Sequence, residues 1–126
     1  KNTILFWHNS QKYLILPNQL GILEKNTHGT SLPMPQENEL INIRFQYEGL
    51  ISIQGRHKTR KIKKIWQEKK IPPWLRNNVP LLFYNNSFIS AIGVFIINIK
   101  NKNKKRWSLS WINKIKHKKK DSFEFI

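Results

Sequence analysis

Apolar and polar residues alternate along much of this chain, and at one place the alternation gives way to a helical period. Ile41, Ile43, Phe45 and Tyr47 alternate with Asn42, Arg44 and Gln46. A period of two puts the first set on the core face of a strand and the second toward solvent. Gly49 ends that strand, and Leu50 to Gln54 predicts another, with Ile51 and Ile53 inward. Upstream, the apolar runs 3–7 and 13–17 read as two strands joined by a turn at His8, Asn9 and Ser10. Pro17-Asn18 breaks the chain, and Leu20 to Glu24 reads as a third strand. Lys25 to Asn38 is polar and contains Gly29, Pro33 and Pro35, the composition of a loop or linker.

The helical period appears after Gly55. From Thr59 to Lys70, Ile62, Ile65, Trp66 and the stem of Lys69 recur at spacings of three and four. Arg60, Lys63, Lys64 and Gln67 fall on the opposite side, with Lys61 at the margin. Thr59 is the expected cap, and Pro72-Pro73 the stop. Pro73 is expected to open a short second helix through Trp74, Leu75 and Arg76. Strands resume at 81–84 and 88–97, joined at Asn85-Asn86, since asparagine tolerates the positive φ of a hairpin turn. Gly93 inside the second of these marks a bulge or a close backbone approach. After a lysine- and asparagine-rich turn at 98–105, Trp107, Leu109 and Trp111 alternate with serines in a last strand. The pattern as a whole predicts an α+β domain of mixed strands, more β than α, with one amphipathic basic helix and one proline-initiated helix. Three segments are expected: 1–38 as strands and linker, 39–112 as the main domain, and 113–126 as a lysine-rich, disordered tail.

Composition narrows the function. The 126 residues carry a net charge of +16, a surplus that attracts polyanions. Lysine, isoleucine and asparagine dominate, and all three have AT-rich codons, so genome drift is a competing source of the lysines. There is no cysteine, which excludes disulfides, thiolate zinc sites and thiol nucleophiles, and makes a cytoplasmic setting the default. Aspartate occurs once, at Asp121, so carboxylates converging on a magnesium ion are not expected. His8, His28, His57 and His117 stand in no metal-ligand spacing. No phosphate loop or serine elbow is present. The longest apolar stretch, 88–97, is too short to span a membrane. The chain opens at Lys1, not methionine, which suggests further protein upstream.

The densest basic run, Arg56 to Lys64, is the candidate site. The bland reading is a solvated helix face. Against it, positive side chains at a helix start oppose the macrodipole, at a cost on the order of a few tenths of a kcal/mol each. A phosphate there would offset the cost by accepting hydrogen bonds from free backbone amides, and Gly55 would let a nucleic-acid backbone come close. The candidate nucleic-acid contacts are therefore Arg56, His57, Lys58, Arg60, Lys61, Lys63 and Lys64, with Arg76 as an outlier. Trp66, Trp107 and Trp111 are expected in the core. So is Trp74, although a tryptophan and an arginine so placed could also grip a nucleotide.

INIRF (41–45), GR (55–56), RKIKKIWQE (60–68), PPWLR (72–76), PLLFY (80–84) and AIGVF (91–95) together resemble the C-terminal domain of tRNA(Ile)-lysidine synthetase. The family often has small residues where this chain has His57, Lys58 and Thr59. The resemblance implies a small β-sandwich with helices. It also implies a parent enzyme that uses ATP and magnesium to activate C2 of the wobble cytidine of an isoleucine tRNA, which free lysine then attacks. This domain would hold the tRNA at its acceptor stem; lysine and ATP would be handled elsewhere, since the family's Ser-Gly-Gly-x-Asp-Ser loop does not occur here. The expectation is no catalytic residue, metal or cofactor in this chain, no membrane partner, and a homodimeric parent left open. The alternatives are a structural bracing module and a basic RNA-binding domain without specificity.

Overall fold

The computed structural model describes residues 3–56, 58–98 and 105–113. In chain order the strands are β1 (Ile4–Trp7), β2 (Tyr13–Ile15), β3 (Ile22–Asn26), β4 (Thr30–Pro33), β5 (Ile41–Arg44), β6 (Leu50–Ile51) and β7 (Arg60–Lys61). The helix α1 (Ile62–Glu68) and a 3-10 helix (Pro73–Asn78) follow, and then β8 (Leu81–Tyr84), β9 (Ser87–Ala91), β10 (Phe95–Ile96) and β11 (Arg106–Ile112). A five-stranded sheet has the order β1-β5-β8-β9-β10, a four-stranded sheet the order β2-β3-β11-β4, and β6 and β7 form a separate ribbon. Every pairing between these strands is antiparallel.

The two larger sheets meet through aromatic rings. Trp107 of β11 lies 6.3 Å from Trp7 of β1 and 6.5 Å from Tyr84 of β8, centroid to centroid. The buried Tyr84 hydroxyl donates to Pro33 O at 2.6 Å and accepts from Trp107 Nε1 at 3.1 Å. One continuous apolar core draws on both sheets and on Ile65 and Trp66 of α1. The helix rests on the β9–β10 hairpin, with Trp66 and Phe95 5.5 Å apart. This is the mostly-β α+β domain that the pattern predicts, in the small sandwich-like form that the family resemblance implies.

Several local expectations change. The strands at 3–7 and 13–17 exist, but β1 pairs with β5 and β2 with β3, so their turn is a corner between sheets. The polar stretch 25–38 is not simply a loop: β3 runs to Asn26, and β4 pairs with β11. Asn26 shapes the turn between β3 and β4, its Oδ1 accepting from the Gly29 amide at 2.8 Å. Gly29 itself crosses β11 so closely that a Cβ there would collide with Leu109 O. Strands on both sides of the boundary expected at 38/39 share each sheet, since β1 joins β5, and β3 and β4 flank β11. The segment 88–97 is two strands. Gly93, at φ 84°, turns the chain so that β10 folds back on β9. Asn85, at φ 58°, occupies the hairpin turn as expected. The tail from residue 114 onward lies outside the described residues, as does most of the turn at 98–105.

The basic helix is shorter than its period suggests. Arg60 and Lys61 are extended, paired with Ile51 and Leu50, and Lys61 takes the N-cap position with no side-chain cap bond. Thr59 therefore lies outside the helix and does not cap it. The other end closes with Lys70 at φ 59°: its amide bonds Gln67 O and the Ile71 amide reaches back to Trp66 O, both at 3.0 Å. That is the Schellman arrangement, with the buried Ile71 as its apolar anchor.

Candidate nucleic-acid interface

The β6–β7 ribbon delivers the basic run to the surface. Gly55 turns it at φ 85°, the conformation that calls for glycine here. Ser52 Oγ donates to Arg56 O at 3.3 Å, and the Arg56 amide bonds Ile53 O at 2.9 Å. Arg56 and Arg60 do not present their guanidinium groups to an open helix start. Both converge on Glu68 at the far end of α1. Arg56 Nη1 donates to Glu68 Oε1 at 3.1 Å, and Arg60 Nη1 pairs with Glu68 Oε2. One carboxylate thus clamps the turn of the ribbon and β7 to the end of the helix. The expected phosphate site built on the macrodipole is corrected accordingly: α1 has seven residues, and of the basic run only Lys63 and Lys64 lie in its first turn.

What remains free is lysine. Lys58, Lys61, Lys63 and Lys64 are exposed, and none makes a hydrogen bond or ion pair among the described residues. They sit on the ribbon end and the outer face of α1, opposite the buried Ile65 and Trp66. His57 lies outside the described residues. Arg76 stands apart on the 3-10 helix, half-buried, with Nε donating to Ile71 O at 2.8 Å. An open groove of about 560 Å³ runs between these parts. Ile62 and Trp66 of α1 line one side, Phe45 and Tyr47 another, and Arg76 and Asn77 a third. Arg76 and the lysine helix thus flank one depression.

Trp66 and Trp111 are buried and Trp107 is half-buried, as expected. Trp74 is not: it is 76 % exposed. The reason is the 3-10 period. With three residues per turn, Leu75 and Asn78 share the side turned toward the core, while Trp74 and Asn77 share the outer side. Pro72 and Pro73 at the helix start were the available signal for a tight, short turn.

Lys25 belongs to a different place. Its ammonium lies 5.5 Å from the Trp7 ring and 5.3 Å from Trp107, and donates to Asn9 O at 2.7 Å. Burial lowers its pKa from the ordinary lysine value. This cation braces the corner between sheets. Among the described residues no group of His, Asp or Glu could hold a metal ion, and no helix is long and apolar enough to cross a membrane.

The family model described as the TilS substrate C-terminal domain matches residues 41–111. The chain belongs to that family. The TilS match starts at the first residue of β5 and ends within β11, so it takes in the ribbon, α1, the 3-10 helix and the groove. The chain is 66 % identical to the tRNA(Ile)-lysidine synthase of Buchnera aphidicola subsp. Acyrthosiphon pisum, over 99 % of this chain and 28 % of that protein. It is 61 % identical to that of Buchnera aphidicola subsp. Schizaphis graminum, over 98 % of this chain and 29 % of the other. With the Salmonella typhi protein of the same name, identity is 48 % over 75 % of this chain and 22 % of the relative. The TilS chain thus spans under a third of the length of these curated relatives.

Proposed function

We propose that this chain is the tRNA-gripping C-terminal domain of a cytoplasmic tRNA(Ile)-lysidine synthase. The whole enzyme would use ATP and magnesium to ligate free lysine to C2 of the wobble cytidine, changing decoding from AUG to AUA. Catalysis would belong to the rest of that protein, and the domain described here would supply a second hold, on the acceptor stem. A second hold raises overall affinity through effective concentration, without any change at the reacting base. It also rejects tRNAs that share the anticodon loop but differ in the stem.

The observation that carries this reading is the set of unpaired lysines, Lys58, Lys61, Lys63 and Lys64, on a rigid ribbon and helix of a TilS-family domain. Duplex RNA is recognised mainly through backbone, 2′-hydroxyl groups and groove shape, for which cations fixed on a firm surface are suited. The test is the binding of isoleucine tRNA across a salt series. Lys63→Glu with Lys64→Glu is expected to weaken binding and to lower the salt slope by about one per lysine lost. The same reversal at Lys118 and Lys119 is expected to do much less. Equal loss from both pairs would leave only a generic polycation, and a chain that does not distinguish isoleucine tRNA from another tRNA would sink the reading.

A further inference from the structure

Among the described residues Trp74 makes none of the contacts that fix the other tryptophans. Trp7, Trp66 and Trp107 each pack against another ring, and Trp111 Nε1 donates to Leu20 O at 2.7 Å. Trp74 has no ring, cation or hydrogen-bond partner among the described residues, and three-quarters of it faces solvent. Leaving the largest apolar side chain in water forgoes the burial that drives folding, so its position calls for a ligand.

The backbone that carries the ring is fixed. Pro72 at φ −61° and Pro73 fix the entry to the turn, and the Leu75 amide bonds Pro72 O at 3.0 Å. Two residues on, Arg76 Nε is tied to Ile71 O, while its terminal nitrogens carry no bond among the described residues. The surroundings are cationic and polar: Lys69 and Lys70 are exposed just before the prolines, and Asn77 just after. Protein–protein anchors of this kind sit in desolvated apolar patches. An exposed aromatic face on a proline-fixed turn, among free cations, instead has the chemistry of a base-stacking platform with phosphate contacts beside it.

We propose that Trp74 stacks on one unpaired nucleotide flanking the RNA duplex, with Arg76 meeting that nucleotide's phosphate at the mouth of the groove. This rests on the RNA-binding reading above but adds to it a preference for a duplex with an unpaired neighbour. The lysines of α1 follow the duplex backbone, and the 3-10 helix receives the base.

The test uses the full chain and two hairpin RNAs that share one stem. One stem is blunt, and the other carries an unpaired 3′ nucleotide, 2-aminopurine in the fluorescence experiment. The unmodified chain is expected to prefer the overhang RNA by roughly ten-fold and to quench the 2-aminopurine. Trp74→Ala is expected to abolish both the preference and the quenching while binding the blunt stem normally, and Trp74→Phe to keep part of each. Normal binding of the blunt stem also shows that the variant folds. If Trp74→Ala leaves preference and quenching intact, or if the unmodified chain treats both RNAs alike, the stacking proposal is overturned. The RNA-binding reading survives that result as long as Lys63→Glu with Lys64→Glu still weakens the blunt complex. If neither RNA binds, both fall, and the exposed ring is left to a protein contact.

Discussion

Asn42 Oδ1 accepts a 2.8 Å hydrogen bond from Arg44 Nε, two residues along the same strand. The pair locks the β8–β9 hairpin. Asn42 Nδ2 donates to Asn85 O at 2.9 Å and Leu40 O at 3.2 Å, and Arg44 Nη2 donates to Asn86 Oδ1 at 2.7 Å. Asn85 completes the knot, since its Oδ1 accepts from the Leu40 amide at 2.8 Å. The Arg44 guanidinium lies 4.2 Å from the centre of the Phe83 ring. A buried amide thus ties β5 and the residue before it to the β8–β9 turn.

Asn42 is 1 % exposed, so its removal leaves the buried Phe83 O without that donor and breaks its bonds to Leu40 O, Asn85 O and Arg44 Nε. Asn42→Ala is expected to destabilise the fold by about 2 kcal/mol, the range for unsatisfied buried polar groups. Urea denaturation would measure it as a lower midpoint at unchanged slope. A loss within about 0.5 kcal/mol, the surface-substitution range, would mean that the knot does not hold the hairpin.

Tyr84 gives the fold an alkaline limit. Burial pushes its phenol well above the ordinary value of 10.0. The neutral ring is favoured in the folded state, while the unfolded phenol ionises near its ordinary pKa. Between those two values the folded chain binds the extra proton. Stability from this group is therefore complete below about pH 10 and falls as pH rises further, with a slope of about 1.4 kcal/mol per pH unit. Tyr84→Phe is expected to remove that slope and to lower stability at neutral pH, because Pro33 O and Trp107 Nε1 lose their partner. Denaturation curves from pH 9 to 12 on both proteins check it. An unchanged alkaline slope in Tyr84→Phe would assign the effect elsewhere.

Which parts of this were legible beforehand follows from where the information lies. Ile41, Ile43, Leu109 and Trp111 revealed their strands because alternation and burial coincide there. Asn42 was expected in solvent by the same alternation, and is buried because β5 is an interior strand covered on both faces. Local pattern does not report the second face. Thr30 to Pro33 offers no apolar alternation, only Leu32 and Pro33 buried side by side, so β4 exists through its pairing with β11, seventy-odd residues away. At the candidate site, the lysines of α1 were readable as an outer face. The diversion of Arg56 and Arg60 to Glu68 was not, because it depends on the ribbon folding back along the helix.

Lys70 bears a left-handed backbone at the end of α1. Residues with a Cβ resist that conformation by about 1 kcal/mol or more, and glycine is the usual occupant of this position. Lys70→Gly is expected to stabilise the fold by about 0.5–1 kcal/mol, the range for matching glycine to a strained φ. Thermal melting would show a rise of a few degrees. No change, or a fall, would indicate that the lysine stem contributes packing that outweighs the strain.

Among the described residues Glu68 is the one acidic side chain paired with the basic run, and it engages two guanidinium groups at once. Glu68→Gln removes a negative charge and releases Arg56 and Arg60 toward an approaching polyanion. The clamp is solvent-exposed, so its loss is expected to cost the fold no more than about 1 kcal/mol. RNA affinity should move the other way, tightening several-fold at low salt and steepening the salt dependence as more counterions are displaced. Glu68 would then act as a brake on nonspecific binding, and the gain should appear with any duplex RNA as much as with isoleucine tRNA. The opposite result, weaker binding to every RNA, would show that the clamp holds the ribbon in the binding geometry and that Arg56 and Arg60 act on the fold instead of the ligand.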